Sequence, residues 1–168
     1  DTTNWTLKGR IETEAGRIVM MRWSPDGAML AVAGASRSGL FGSDGVCEMY
    51  DMKNLRLLKR WKAHPLACRA VEFSPDGRML VTAGNDGVIR LHDVRSLEST
   101  GEIHVTSSAV FCVAFHSGGR VLAVGDRAGR VTLIGLPEVK ALANIDLESS
   151  IMAMEFAGDQ LVAAQLDH

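Results

Sequence analysis

The side chains that could act as nucleophile, general base or phosphate ligand are present, but their spacing does not fit catalysis. Serine, histidine and aspartate occur along the 168-residue chain, yet no Gly-x-Ser-x-Gly turn presents a nucleophilic serine. The segment Gly34–Gly39 has the spacing with which a phosphate-binding loop begins. Such a loop continues with Lys and then Ser or Thr, whereas this chain continues with Leu40 and Phe41. We therefore predict no catalytic residue and no enzymatic activity.

Residue types that bind metals are also scattered. The five histidines do not pair at the spacing of metal ligands, and Cys47, Cys68 and Cys112 lie far apart inside apolar runs. Zinc sites and disulfide frameworks both use closely spaced cysteine pairs. We interpret the three cysteines as buried, reduced thiols of an intracellular protein, and we expect no metal and no cofactor.

The composition is that of a globular protein without a marked charge. Hydrophobic residues make up 46% of the chain and charged residues 23%. With 18 basic and 20 acidic residues, the formal net charge is -2, which provides neither a nucleic-acid footprint nor a polybasic membrane patch. No apolar run approaches the ~20 residues that span a bilayer. Nucleic acid and membranes are therefore not the expected partners.

An aromatic residue followed by a turn recurs along the chain. The best example is Phe73, which precedes Ser-Pro-Asp-Gly, and the full set of aromatic residues is Trp23, Phe73, Phe115 and Phe156. They are 50, 42 and 41 residues apart, and a second turn containing Gly45, Gly87 or Gly129 recurs every 42 residues. The longer first interval has a local cause, because the first repeat carries eight extra residues within Ala35–Ser43.

Each repeat is predicted to form four short antiparallel strands. Asp-Gly between β-prone runs is a strong hairpin signal, because Gly accepts the positive φ of a tight turn. Runs such as Met29–Ala33 are apolar on both faces, so these strands must be covered on both sides, and no segment has a helical period. Radial stacking of four-stranded sheets gives an all-β fold, a β-propeller of four-stranded antiparallel blades. The expected units are the outer strand of a preceding blade (1–15), three blades (16–62, 63–105 and 106–148) and the start of a further blade (149–168).

The segment 63–93 carries a family resemblance. It contains, in order, Ala63-His64, Phe73-Ser74-Pro75-Asp76-Gly77, Asn85-Asp86-Gly87 and Leu91-His92-Asp93. This pattern closely resembles the WD-repeat β-propeller family, and the repeat spacing extends the resemblance over nearly the whole chain. The repeats are degenerate, because the Trp-Asp that often ends the family's repeat is replaced by Tyr50-Asp51, His92-Asp93 and Ile134-Gly135.

The resemblance implies a structural network within a blade, which joins a loop His, a strand Ser or Thr, a turn Asp and the Trp. Carried over to this sequence, the network consists of His64, Thr82, Asp86 and His92, with His92 in place of Trp. Other repeats hold Glu14 and Thr106 where the second has His64.

The resemblance also implies that partners bind loops that join the second strand to the third, or one blade to the next. The insertion Ala35–Ser43 falls in such a loop and contains Arg37, Leu40 and Phe41. The Leu-Phe pair either anchors a partner or folds back over the blade edge. Arg69, near the start of an inner strand, is expected to face the same side, as a partner contact or as a solvated charge.

These observations predict a non-catalytic scaffold for protein–protein interaction, a propeller within a larger multi-subunit assembly. One alternative is a recognition module of a ribonucleoprotein, through a positive strip of Arg60, Lys62 and Arg69. Another is a recognition module of a longer multidomain regulatory protein. We expect an intracellular, cytoplasmic location, with which a cytoskeletal or ciliary association is compatible.

The number of repeats predicts that the ring is completed from outside this segment. Propellers usually need four to eight blades, whereas this chain supplies about three full blades and two partial ones. The chain also lacks an initiator Met and ends in mid-blade. We therefore expect a segment of a longer protein, whose remainder closes the propeller, and other protein subunits as its partners.

Overall fold

Fourteen short β-strands make up the part of the chain that the structure describes. The structure is a computed structural model, and it describes residues 7, 9–13, 15–36 and 44–166. Within these residues there is no helix, and so none that is long and apolar enough to cross a membrane. The all-β prediction is confirmed.

The strands form separate antiparallel sheets in which sequence neighbours pair. Sheet 1 contains β1 (Arg17–Trp23), β2 (Met29–Ala35), β3 (Gly45–Asp51) and β4 (Arg56–His64). Sheet 2 contains β5 (Cys68–Phe73), β6 (Met79–Gly84), β7 (Val88–Asp93) and β8 (Ser99–His104). Sheet 3 contains β9 (Val110–Phe115), β10 (Val121–Asp126), β11 (Arg130–Gly135) and β12 (Lys140–Asp146). Sheet 4 contains β13 (Ile151–Ala157) and β14 (Gln160–Gln165).

The Ser-Pro-Asp-Gly sequence closes the first hairpin of sheet 2 by side-chain hydrogen bonds. The Oγ of Ser74 donates to Asp76 Oδ1 at 2.6 Å and accepts from the Met79 N–H at 2.9 Å. Gly77 has a φ of +68°, which a residue with a Cβ adopts only with strain. The sequence therefore specifies this turn locally, as predicted.

Apolar side chains fill the space between neighbouring sheets. The three clusters lie between sheets 1 and 2, between sheets 2 and 3, and between sheets 3 and 4. Their fully buried members include Met49, Val71 and Leu80 in the first, Val81, Val110 and Leu122 in the second, and Ala123 and Ile151 in the third. Because both faces of sheets 2 and 3 are covered, the blade-on-blade packing expected of a propeller is present.

The ring is not closed in this chain. Sheet 4 has two strands among the described residues, and every residue of the outer strand β12 of sheet 3 is exposed. The residues before β1 that the structure describes do not form a strand. The predicted outer strand within 1–15 and the predicted blade boundaries therefore stay predictions.

Three turns between third and fourth strands share an unusual backbone. Leu55, Leu97 and Val139 occupy equivalent positions and have φ values of 52°, 57° and 56°. This left-handed conformation costs an L-residue roughly 1–2 kcal/mol. Leu97 packs against the core between sheets 1 and 2, whereas Val139 is 41% exposed. Burial therefore offsets the backbone strain at Leu97 much more than at Val139.

Replacing Val139 with Gly should stabilise the full chain. The substitution removes the left-handed strain, and the greater freedom of Gly in the unfolded state offsets only part of the gain. We expect the free energy of unfolding, measured by urea denaturation, to rise by about 0.5–1 kcal/mol. The control is Lys140→Gly in the adjoining strand, which should lower it. Equal losses in both variants would contradict strain at Val139.

Candidate functional site

A chain of buried hydrogen bonds joins sheet 1 to sheet 2. His64 is the last residue of β4 in sheet 1, and its ring is almost fully buried. Its Nδ1 lies 2.8 Å from Asp86 Oδ1 in the β6–β7 turn, and its Nε2 lies 3.0 Å from Thr82 Oγ1. Thr82 Oγ1 in turn lies 3.1 Å from Nε2 of His92 on β7. The structure thus brings together the four residues that the resemblance placed in a network.

The tautomer of His64 sets the direction of these bonds, because its Nδ1 faces both Asp86 Oδ1 and, at 2.5 Å, Nη1 of Arg90. With the proton on Nδ1, His64 donates to the ionised Asp86, which can only accept. In that tautomer, Nε2 of the neutral His64 ring accepts the hydroxyl proton of Thr82, and Thr82 Oγ1 accepts from Nε2–H of His92. His64, Thr82 and His92 are buried and the Asp86 side chain is 10% exposed, so the network is largely shielded from solvent.

Arg90 completes the network, and the sequence analysis missed it. Its Nη1 donates to Asp86 Oδ2 at 2.8 Å, and its Nε lies 3.4 Å from Glu102 Oε2 on β8. Burial alone would raise the pKa of Asp86, but hydrogen bonds from Arg90 and His64 outweigh it and lower that pKa. The signal was available, because Arg90 lies two residues before His92 on the same face of β7.

Burial also holds both network histidines in the neutral form. Desolvation lowers the pKa of His64, although the Asp86 carboxylate opposes the shift. Desolvation, followed by the charge of His64, lowers the pKa of His92 to about 4. Trp61 of β4 covers His92 on the sheet 1 side, with ring centroids 5.3 Å apart. At neutral pH, the network therefore contains uncharged imidazoles.

Stability should consequently fall as the pH is lowered from about 6.5 to about 4, the ordinary and folded pKa values of His92. In this window the unfolded state binds the proton that the folded state excludes, so acid favours unfolding. Protonation of His92 in the unfolded state lowers the free energy of unfolding by up to about 1.4 kcal/mol per pH unit. Below the folded pKa this contribution no longer changes with pH. Urea denaturation of the full chain at a series of pH values measures this slope.

The variant that tests this slope is His92→Gln, because glutamine can still donate to Thr82 but does not titrate. Its stability should decline less between pH 6.5 and 4 than that of the natural chain. His104, whose side chain is 79% exposed, offers the matched control His104→Gln, which should keep the natural slope. Parallel curves for the natural chain and His92→Gln would show that His92 does not carry the effect.

Sheet 1 uses a different buried network. Tyr50, at the position equivalent to His92, donates its hydroxyl to Glu48 Oε2 at 2.6 Å, and the Thr13 hydroxyl donates to the same oxygen. Arg60 of β4 lies 3.4 Å from the other carboxylate oxygen, and Glu48 is 1% exposed. Burial, with the Glu48 contact, raises the pKa of Tyr50 to about 12. A carboxylate thus replaces the histidine chain.

Sheet 3 uses a third arrangement. Thr106, at the position equivalent to His64, donates to Asp126 Oδ2 at 2.8 Å. Asp126 also accepts from the Arg130 N–H at 2.9 Å, and Ile134 fills the position of His92 with an apolar side chain. The segment that precedes the first strand therefore makes a polar contact with its sheet in all three cases, to the β6–β7 turn in sheet 2, to the end of β10 in sheet 3 and to β3 in sheet 1.

Several loops lie at the same end of the sheets, which we call the upper face. It comprises the β2–β3, β4–β5, β6–β7, β8–β9, β10–β11 and β12–β13 connections. Three of the predicted partner-binding residues, Arg37, Leu40 and Phe41, lie in the first connection but outside the described residues. The base of that loop is described, and there the Ser36 N–H donates to the Asp44 carbonyl at 2.9 Å. The loop that carries the predicted residues therefore starts and ends on the upper face.

Arg69 is held in place on the upper face by two contacts. It is the second residue of β5, and its Nε donates to Asn85 Oδ1 at 2.8 Å. Its guanidinium carbon lies 5.2 Å from the ring centroid of Phe111, the equivalent residue of β9. The sequence analysis missed Asn85 and Phe111, although the 42-residue spacing relates Phe111 to Arg69.

The other two residues of the predicted positive strip are engaged in ion pairs. Arg60 faces the buried Glu48, and Lys62 Nζ lies 2.9 Å from Asp44 Oδ1. Charges paired in this way attract the phosphates of a nucleic acid less than unpaired ones. The structure therefore gives the ribonucleoprotein alternative no support from this strip.

The described residue types that bind metals do not cluster. Within the described residues, no group of three or more His, Cys, Asp or Glu side chains could hold a metal ion. The three cysteines are buried and not in disulfides. Desolvation raises the pKa of Cys68 and of Cys112 to about 12, which keeps these thiols protonated and unreactive.

A family comparison agrees with this architecture. Residues 55–93 and 96–134 match the WD40 model, described as WD domain, G-beta repeat. Each matched range starts near the fourth strand of one sheet and ends near the third strand of the next, and the first range contains the whole His64 network. No curated protein matches the chain significantly. The two matches and the repeated four-stranded sheets together show that residues 55–134 of this chain consist of WD repeats, stacked as blades of a β-propeller.

Proposed function

We propose that this chain is part of a non-catalytic scaffold that binds other proteins through its upper face. WD40 repeats generally mediate protein–protein interaction and are typically non-catalytic. The observation that carries the proposal here is Arg69, which Asn85 and Phe111 hold in place on that face. A long cationic side chain that is already ordered loses little conformational entropy when a partner binds.

The proposed scaffold separates a framework from a binding surface. The buried histidines, carboxylates and hydroxyls bond to one another and join the sheets, so they are not offered as reactive groups. The upper-face loops are the variable elements, and the eight-residue insertion is the largest difference between the repeats. Binding through loops on a rigid framework is a common use of such folds. We further propose a larger multi-subunit assembly and a cytoplasmic location.

The insertion supplies the sharpest test of this function. Replacing Leu40 and Phe41 together with Ser should weaken partner binding by the full chain at least about tenfold, because apolar anchors at the centre of an interface often contribute about 2 kcal/mol or more. The measurement is quantitative recovery of co-purifying proteins from cells that express the tagged chain.

The matched control replaces Leu142 and Ile145 of β12 with Ser. These side chains are 54% and 45% exposed, but they lie on an outer strand rather than on the upper face. The control should retain its partners, and both double variants should unfold at the temperature of the natural chain. Unchanged recovery with the loop variant would remove the insertion from the binding surface.

A further inference from the structure

The guanidinium of Arg69 has two terminal nitrogens available for a ligand. Nε bonds to Asn85, and the guanidinium carbon lies over the ring of Phe111. In the part of the chain that the structure describes, no side chain or carbonyl bonds to Nη1 or Nη2. A guanidinium that is held at Nε and over one ring presents its two terminal nitrogens as a paired donor, which matches the two oxygens of a carboxylate.

Three of the carboxylates near this face already have partners. Asp44 pairs with Lys62, Asp86 with His64 and Arg90, and Asp126 with Thr106. These groups therefore leave little negative charge to compete for Arg69.

The cations near this face are less fully paired. Arg17 begins β1 and Arg127 follows β10, and the side chains of both are without a hydrogen-bond or ion-pair partner among the described residues. Among the described residues of this face, Glu148 is a carboxylate without a partner, and it balances one of these cations. The unpaired charge of the described upper-face residues is therefore positive, although the formal net charge of the whole chain is -2.

Apolar surface adjoins Arg69 on one side. Phe111 of β9 and Met152 of β13 occupy the positions equivalent to Arg69 in the next two sheets, and Met152 is 45% exposed. A ligand with an acidic group beside an apolar group would match this arrangement in both charge and polarity.

We propose that the upper face binds an acidic peptide segment of a partner protein, in which one carboxylate pairs with both terminal nitrogens of Arg69. An adjacent apolar side chain of the segment contacts Phe111 and Met152, and Arg17 and Arg127 attract further acidic residues. This inference rests on the proposed scaffold function and names the chemistry of its partner.

The test measures binding of a fluorescein-labelled peptide of alternating glutamate and leucine to the full chain by fluorescence anisotropy. Arg69→Gln should weaken binding at least tenfold, because it removes the charge and the paired donor. Arg69→Lys should weaken it less, since it keeps the charge but loses the paired geometry. Phe111→Leu should also weaken it, because Phe111 positions the guanidinium.

The matched control is Arg95→Gln, since Arg95 is an exposed arginine in the β7–β8 turn at the opposite end of the sheets. It should bind the peptide as the natural chain does, and all variants should keep the natural unfolding temperature. Equal losses for Arg69→Gln and Arg95→Gln would show non-specific attraction and overturn the proposal. Equal binding of a peptide with glutamine in place of glutamate would overturn it as well.

The outcome separates this inference from the function on which it rests. If the full chain recovers its partners in a manner that depends on Leu40 and Phe41 but does not bind the acidic peptide, the scaffold function stands and the acidic chemistry is wrong. If the acidic peptide binds through Arg69 but the loop variant loses no partner, the peptide site stands and the role of the insertion is wrong.

Discussion

Burial on both faces is the constraint on which this structure depends. The second strands of the sheets are composed almost entirely of apolar residues, and Ala31, Leu80 and Leu122 are each completely buried. A strand of this kind cannot border water, so a single sheet cannot be stable alone. Stacking places sheets 2 and 3 between two neighbours each, and continuing the stack in the same way leads to a ring. The apolar clusters between sheets are thus the cause of the architecture.

The polar networks provide hydrogen bonds for the polar groups that this stacking buries. Loops that enter between two buried sheets bring backbone and side-chain polar groups with them, and such groups destabilise the fold unless they are hydrogen-bonded. Sheet 2 satisfies them with two neutral imidazoles, sheet 1 with a carboxylate and a phenol, and sheet 3 with a hydroxyl and a carboxylate. The requirement is shared, whereas the chemistry that meets it differs from sheet to sheet.

The sequence predicted the fold well because its signals were local and repeated. Each Gly with a positive φ in the aromatic-led turns, such as Gly77, follows from the conformation of that turn alone. The described strands form the successive antiparallel hairpins that the repeated turns predicted. The order of the His64 network could also be carried over from the family, because its members keep fixed places relative to the turns.

One missed detail depends on residues distant in the chain, because Arg69 contacts Phe111 only when two sheets lie side by side. Arg90 was missed although it lies four residues from Asp86 and two from His92, so its signal was local. The left-handed turns at Leu55, Leu97 and Val139 were missed for another reason, since aliphatic residues ordinarily avoid that conformation. Aliphatic residues at these positions predict a negative φ, whereas the observed φ is positive.

The position of His64 has a consequence for how the molecule divides. Its backbone belongs to sheet 1, whereas its ring bonds to Thr82 and Asp86 of sheet 2. Dividing the chain between sheets 1 and 2 would leave Thr82 and Asp86 of sheet 2 without the His64 ring that bonds to them. Dividing it at the start of the matched repeat, before β4, would instead remove the outer strand from sheet 1. Neighbouring blades therefore share side chains across their boundary, and the smallest unit that keeps all of its hydrogen bonds is larger than a single blade.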